Sequence, residues 1–188
     1  NEVRPAVLQT CGTDEHVPEI ERSIQTMKNE ARCVCHAMPY QCLPRIMVRE
    51  LISQGNEYLN AFGSKDSVGN HLSPRNIIDN LPHVDFNDLK YEFGQRVELH
   101  VSSTRTNTMA SRSTEALVLG PKNITGKYTF MSLKTGREID GRVVGILPIT
   151  QDVIDIIDQI GRNQQQPFRA SKMMKYEWRP GSCLLYTS

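Results

Sequence analysis

Apolar positions in the first third of the chain recur with a helical period. Ile20, Ile24, Met27, Ala31 and Val34 fall three or four residues apart, which predicts one amphipathic helix with these five as its buried stripe. The helix is expected to start near Pro18, whose missing N–H is an orphan in a first turn anyway, and to stop before Pro39. A second helix is predicted from Pro44 to Phe62, with Ile46, Met47, Leu51, Ile52, Leu59 and Phe62 inward. Ser73-Pro74-Arg75-Asn76-Ile77-Ile78 reads as an N-cap, a first-turn proline and a short helix. Ahead of these lie a short predicted strand, Val3 to Thr10, and the turn residues Gly12-Thr13-Asp14.

After Gly94 the period changes from helix to strand. Arg96–Val101, Thr114–Leu119, Lys127–Leu133 and Arg142–Ile146 are short strand-like runs separated by Gly120-Pro121, Asn123–Gly126 and Gly136. Several short strands at this spacing predict a small barrel. A closing helix fits Gln151 to Ile160, and the polar residues beyond Gly161 read as disordered. The fold class is therefore α+β.

Composition narrows the class. The chain has 188 residues, with 38% hydrophobic and 23% charged, as a globular protein does. No apolar run approaches the roughly 18 residues of a membrane span, and no signal peptide opens the sequence. The chain begins at Asn1 without a Met, as a piece of a longer reading frame would. Cys33, Cys35, His36 and Cys42 lack the knuckle spacing of a structural zinc site, and one helix would point Cys33 and Cys35 to different sides; reduced thiols in an intracellular protein are expected instead. The net charge is +1, unevenly spread: residues 1–90 hold nine Lys and Arg against twelve Asp and Glu, and the remainder thirteen against nine. In the tail, Arg162, Arg169, Lys172, Lys175 and Arg179 face only Glu177. Such a segment attracts a phosphate backbone or serves as a solvated linker. The last six residues, Cys183 to Ser188, look like read-through into a sequencing-library adaptor and are left out of fold reasoning.

The order and spacing of several short motifs carry a resemblance. They are Glu15-His16-Val17-Pro18-Glu19-Ile20-Glu21-Arg22, Leu72-Ser73-Pro74-Arg75, Glu92-Phe93-Gly94, Ala116-Leu117-Val118-Leu119-Gly120-Pro121 and Ser132-Leu133-Lys134-Thr135-Gly136-Arg137. Together, from Glu15 to about Ile160, they resemble the integrase region of Ty1/copia-type retrotransposon polyproteins. The resemblance implies an organisation. Residues 1–80 would be the C-terminal part of an RNase-H-like integrase catalytic core, 81–92 a linker, and 93–148 a small Src-homology-3-like β-barrel. A helix over 149–161 and a basic disordered linker over 162–182 would follow. Residues 1–80 would then leave apolar stripes uncovered without the rest of their sheet, while the barrel would fold alone. The polar run Ser53-Gln54-Gly55-Asn56-Glu57 departs from the family, which is more apolar there. Gly55 alone costs a helix about 1 kcal/mol. An exposed face or a decaying copy would explain the run.

The resemblance also implies chemistry. Such integrases hold two divalent ions, Mg2+ or Mn2+, on two Asp and one Glu, and carry out in-line displacement at phosphodiesters, processing DNA 3′ ends and then joining them to target DNA. The family's Glu-Arg-x-x-x-Thr element falls on Glu21-Arg22-Ser23-Ile24-Gln25-Thr26, which makes Glu21 the catalytic and metal-binding carboxylate. Glu19 is its rival, and on residues alone both read as surface acids complementing the helix dipole. Both aspartates would lie upstream of this chain; Asp14 belongs to the turn before the helix. This chain alone would be inactive.

Gln25, Lys28 and Arg32 follow Glu21 by four, seven and eleven residues and share its helix face. In the family that face meets DNA, so these three are candidate DNA contacts, against the alternative of a solvated helix face. Over residues 96–142, eight Lys and Arg (Arg96, Arg105, Arg112, Lys122, Lys127, Lys134, Arg137 and Arg142) outnumber four acids. Lys122, Lys127 and Arg137 flank turns and are the first candidates for phosphate contacts there. The implied partners are retrotransposon and target DNA and other integrase protomers, with no membrane. The implied location is the nucleus, after assembly in cytoplasmic virus-like particles. A competing reading is a non-catalytic DNA-binding or scaffolding module, or a decayed transposon copy.

Overall fold

A computed structural model describes residues 18–62, 72–86, 89–100, 112–122 and 127–168. The expected strand Val3–Thr10, the loop 63–70, Arg105 and the tail cations from Arg169 onward lie outside them, as does the side chain of Glu19. The described elements are helices α1 (Pro18–Ala37), α2 (Arg45–Ala61), α3 (Pro74–Ile78) and α4 (Gln151–Asn163), with strands β1 (Arg96–His100), β2 (Ser113–Lys122), β3 (Lys127–Ser132), β4 (Glu138–Ile139) and β5 (Arg142–Ile146). The strands form one open antiparallel sheet in the order β4-β3-β2-β1-β5. The class is thus α+β. The short strand β4 was not foreseen, because two residues carry no alternation. The α3 cap is the anticipated one: Ser73 Oγ accepts from Asn76 N, and Asn76 Oδ1 accepts from Ser73 N.

The sheet is open but strongly rolled. β4 and β5 sit at opposite edges, four strand spacings apart, which in a flat sheet is about 19 Å. Only Asp140 and Gly141 join them, so Ile139 and Arg142 lie at most about 11 Å apart along the chain. The sheet must curl for both to hold. Ile139 and Val143, one from each edge strand, accordingly pack on the same cluster of Val97, Leu99, Ala116, Val118, Tyr128 and Phe130. This is the concave core.

The convex face carries the helices. Leu117, Leu119 and Met131 meet Met47, Val48 and Leu51 of α2, Ala31 of α1, and Val153 and Ile157 of α4 in a second cluster, with Met38, Tyr40, Leu43, Phe93 and Leu133 at its margins. Because β2 is covered on both sides, Ala116-Leu117-Val118-Leu119 reads as a continuous apolar run rather than an alternation.

This second cluster spans the expected linker. The segment 81–92 is not a packing boundary, since residues on either side of it share one core. What covers the α2 stripe is the downstream sheet and α4. The segment's end is itself tied down: Tyr128 Oη accepts from Lys90 N at 2.8 Å, and the rings of Tyr91 and Tyr128 meet edge-on at 5.0 Å.

The stripe of α1 is buried only in its second half. Ala31 is buried and Val34 packs beside it, but Ile20 and Ile24 are 57% and 43% exposed. On α2, Val48 is fully packed although outside the predicted stripe, and Phe62 is exposed. The polar run of α2 is not simply an exposed face. Gln54 is buried, donates to Tyr58 Oη at 2.9 Å, and lies where a side chain at Gly120 would stand. α4 runs three residues past its expected end, so Arg162 and Asn163 are helical rather than part of a linker.

The α1–α2 connection is clamped by α4. The buried carboxylate of Asp158 accepts from the backbone N–H groups of Gln41 and Cys42 at 2.8 and 2.9 Å. Gln164 Oε1 accepts from Arg45 N at 2.7 Å. A methyl group at Gly161 would run into the Cys42 carbonyl. On the other side, Tyr40 Oη donates to the carbonyl of Gly94 at 2.9 Å, and burial pushes the Tyr40 phenol well above its ordinary pKa. Gly94 has φ +77° with Met38 Sδ against it, so only glycine fits without strain.

A less settled spot lies between α2 and α3. Glu57 Oε2 and Nη1 of the buried Arg75 have no hydrogen-bond partner. Burial raises the Glu57 pKa and the Glu50 carboxylate adds to this, while Arg75 opposes them.

Two expected outcomes follow from these contacts. Asp158→Ala strands one buried and one half-buried backbone donor and should cost about 3 kcal/mol in denaturant unfolding; Gly161→Ala should also destabilise. In both variants helix and sheet signals should be lost together, as one shared core requires. Glu57 has a raised folded pKa, so its contribution to stability is complete below the unfolded value near 4.5 and is lost as pH rises through the folded value. Glu57→Gln should therefore raise the melting temperature at pH 7 more than at pH 4.

Candidate nucleic-acid interface

α1 divides into a packed half and a free half. Ala31, Val34 and Cys35 hold its C-terminal half on the core. From there the helix runs back along α2, with Glu30 opposite Gly55, and its first turns keep both apolar and polar side chains in solvent. Glu21, Gln25, Lys28 and Arg32 are all exposed and share one face, as their spacing requires. Seven residues separate Gln25 from Arg32, about 10 Å of helix. The structure thus brings these four together as a row along α1.

The row contains a residue that spacing analysis passed over. Asn29 Oδ1 accepts from Gln25 Nε2 at 3.0 Å and from Arg32 Nη1 at 3.1 Å. Asn at a solvated helix position carries no signal in a sequence. Only the two flanking donors give it meaning. Thr26 turns its hydroxyl back onto the Arg22 carbonyl at 2.9 Å, a helix-internal bond.

Glu21 is the lone acid of the row. No group of three or more His, Cys, Asp or Glu able to hold a metal ion occurs among the described residues. Cys33, Cys35 and Cys42 form no disulfide and are exposed, half-buried and buried in turn. For Cys42, burial and then the Asp158 carboxylate raise the thiol pKa, against Arg162, which lowers it.

The sheet cations do not converge. Lys122 and Lys127 are cross-strand partners at the loop end of the β2–β3 hairpin, and both are exposed. Like charges placed opposite each other in this way repel. Arg137 belongs to the turn at the other end of β3, where its carbonyl accepts from Ser132 N at 2.9 Å. Five residue steps along β3 separate the two ends, about 17 Å. Arg96 has become structural. It bonds Glu115 at 2.7 Å, the Pro148 carbonyl at 2.9 Å and Thr150 Oγ1 at 3.3 Å, tying β1 to the start of α4. Lys134 sits in a shallow groove of about 520 Å³ against Asp155 and Gln159 of α4. Neither the α1 row nor the Lys122–Lys127 pair lines it.

No described helix is long and apolar enough to cross a membrane. Comparisons with protein-family models, with curated proteins and with solved structures find no match to this chain.

Proposed function

We propose that this chain is a DNA-binding piece of a retrotransposon-type integrase. The observation that carries the reading is the exposed polar row Glu21, Gln25, Lys28 and Arg32 along the solvent-facing side of α1. It coincides with the segment whose motif resembles the last catalytic helix of that family. The rolled five-stranded sheet supports reading residues 93–148 as a Src-homology-3-like barrel. α1 and α2 are read as the terminal helices of an RNase-H-like core, here packed onto the barrel's convex face. The partners on this reading are DNA and further integrase protomers, acting in the nucleus.

The residues present do not by themselves fit a divalent metal. One carboxylate at Glu21 is not a ligand set, and Mg2+ or Mn2+ belongs to a complete core in which two upstream aspartates join it. No catalytic step is therefore assigned to this chain. What its own residues do is bind. Lys28 and Arg32 offer cations to phosphate oxygens, Gln25 offers an amide, and Lys122 and Lys127 offer a second cationic point.

The test is duplex-DNA affinity measured against salt. The wild-type chain should bind more weakly as salt rises, and Lys28→Ala with Arg32→Ala should reduce the magnitude of the log–log slope by about 1.8. The double variant Lys122→Ala and Lys127→Ala should reduce it by a similar amount. Absence of salt-dependent binding at low ionic strength would sink the reading. Glu21→Gln separates enzyme from binding module: it should leave affinity intact, yet abolish strand transfer in a chain extended upstream to include both aspartates. A reading frame without that Asp pair would leave the binding module alone.

A further inference from the structure

We infer that Asn29 is the positioning residue of the α1 face, holding Gln25 and Arg32 ready for a phosphodiester backbone; the inference rests on the DNA-binding reading above. The chemistry of the donors fixes the arrangement. A guanidinium has only N–H donors, so the Asn29 atom facing Arg32 Nη1 at 3.1 Å must be Oδ1. The same oxygen then requires Gln25 to turn its NH2 group inward, at 3.0 Å. Asn29 Oδ1 is thereby occupied by two donors. The groups of this cluster left to face solvent are mainly donors: Asn29 Nδ2, the remaining Arg32 N–H groups and the Lys28 ammonium one residue before. Gln25 Oε1 is the exception.

Arg and Gln are rotamer-rich, and ordering them on binding is a real entropic cost. Asn29 meets part of that cost before DNA arrives. It also spaces the two side chains along about 10 Å of helix, so the face presents a fixed row rather than three independent tethers. A donor row of this kind suits the acceptor-only oxygens of a sugar–phosphate backbone.

The experiment is a mutant cycle on duplex affinity with salt titrations. Asn29→Ala should weaken binding about five-fold while leaving the salt slope unchanged, because no cation is removed. In a Gln25→Ala, Arg32→Ala background the same change should have almost no further effect, as a residue acting through those two requires. In the free protein, Asn29→Ala should shift the Gln25 side-chain amide resonances, with the melting temperature unmoved. Unchanged affinity in Asn29→Ala overturns the inference, and so does a full additional loss in the doubly substituted background, which would mark a direct contact. A wild-type chain that does not bind duplex DNA overturns both this inference and the functional reading.

Discussion

The fold depends on how the seven residues between α1 and α2 are held. Two backbone N–H groups there, that of half-buried Gln41 and that of buried Cys42, have no helix of their own to bond. Asp158 accepts both. Its carboxylate comes from α4, more than a hundred residues later, so the contact ties the helical hairpin to the end of the sheet region. Gly161 allows the approach and Gln164 repeats it at the start of α2. The opposite side of the same connection is held by Tyr40 on the Gly94 carbonyl. A buried charge is tolerable where its lone pairs are met by N–H donors, and here the donors are backbone groups that need an acceptor as much as the carboxylate needs them.

The rolled sheet follows from a second constraint of the same kind. A link of two residues between the edge strands forces curvature, and curvature encloses a small concave core. The convex face is then an apolar surface of Leu117, Leu119 and Met131 that water would otherwise meet. α2 and α4 cover it. Helices and sheet thus complete one another's burial, and the unit stands on one shared core.

That packing explains where an exposed polar face is left. The first turns of α1 are in solvent and carry the exposed pair Ile20 and Ile24, and the polar row from Glu21 to Arg32 runs along the side of the helix turned away from the core. Lys122 and Arg137 lie at opposite ends of β3, and Arg96 is engaged by Glu115 of β2 and by Pro148 and Thr150 ahead of α4. The α1 row sets Gln25, Lys28 and Arg32 outward on one helix, and Asn29 bonds two of them.

Much of this was legible from residue order. Helical spacing from Ile20 to Val34, the proline at 18 and the Ser73–Asn76 cap determine α1 and α3 because those signals are local. Strand runs between glycine and proline turns determine four of the five strands for the same reason. The i, i+4, i+7 spacing was enough to place Glu21, Gln25, Lys28 and Arg32 on one face. Residue order could not reveal which apolar stripe meets which, because Leu51 and Leu117 are joined by packing across 66 positions. Nor could it show that Asp158 is a buried acceptor rather than one more acid on an amphipathic helix, that Arg96 is engaged, or that Lys122 and Arg137 lie at opposite ends of the sheet. Those outcomes depend on strand register and on the roll of the sheet, which are set by contacts between distant segments; only the tertiary structure decided them.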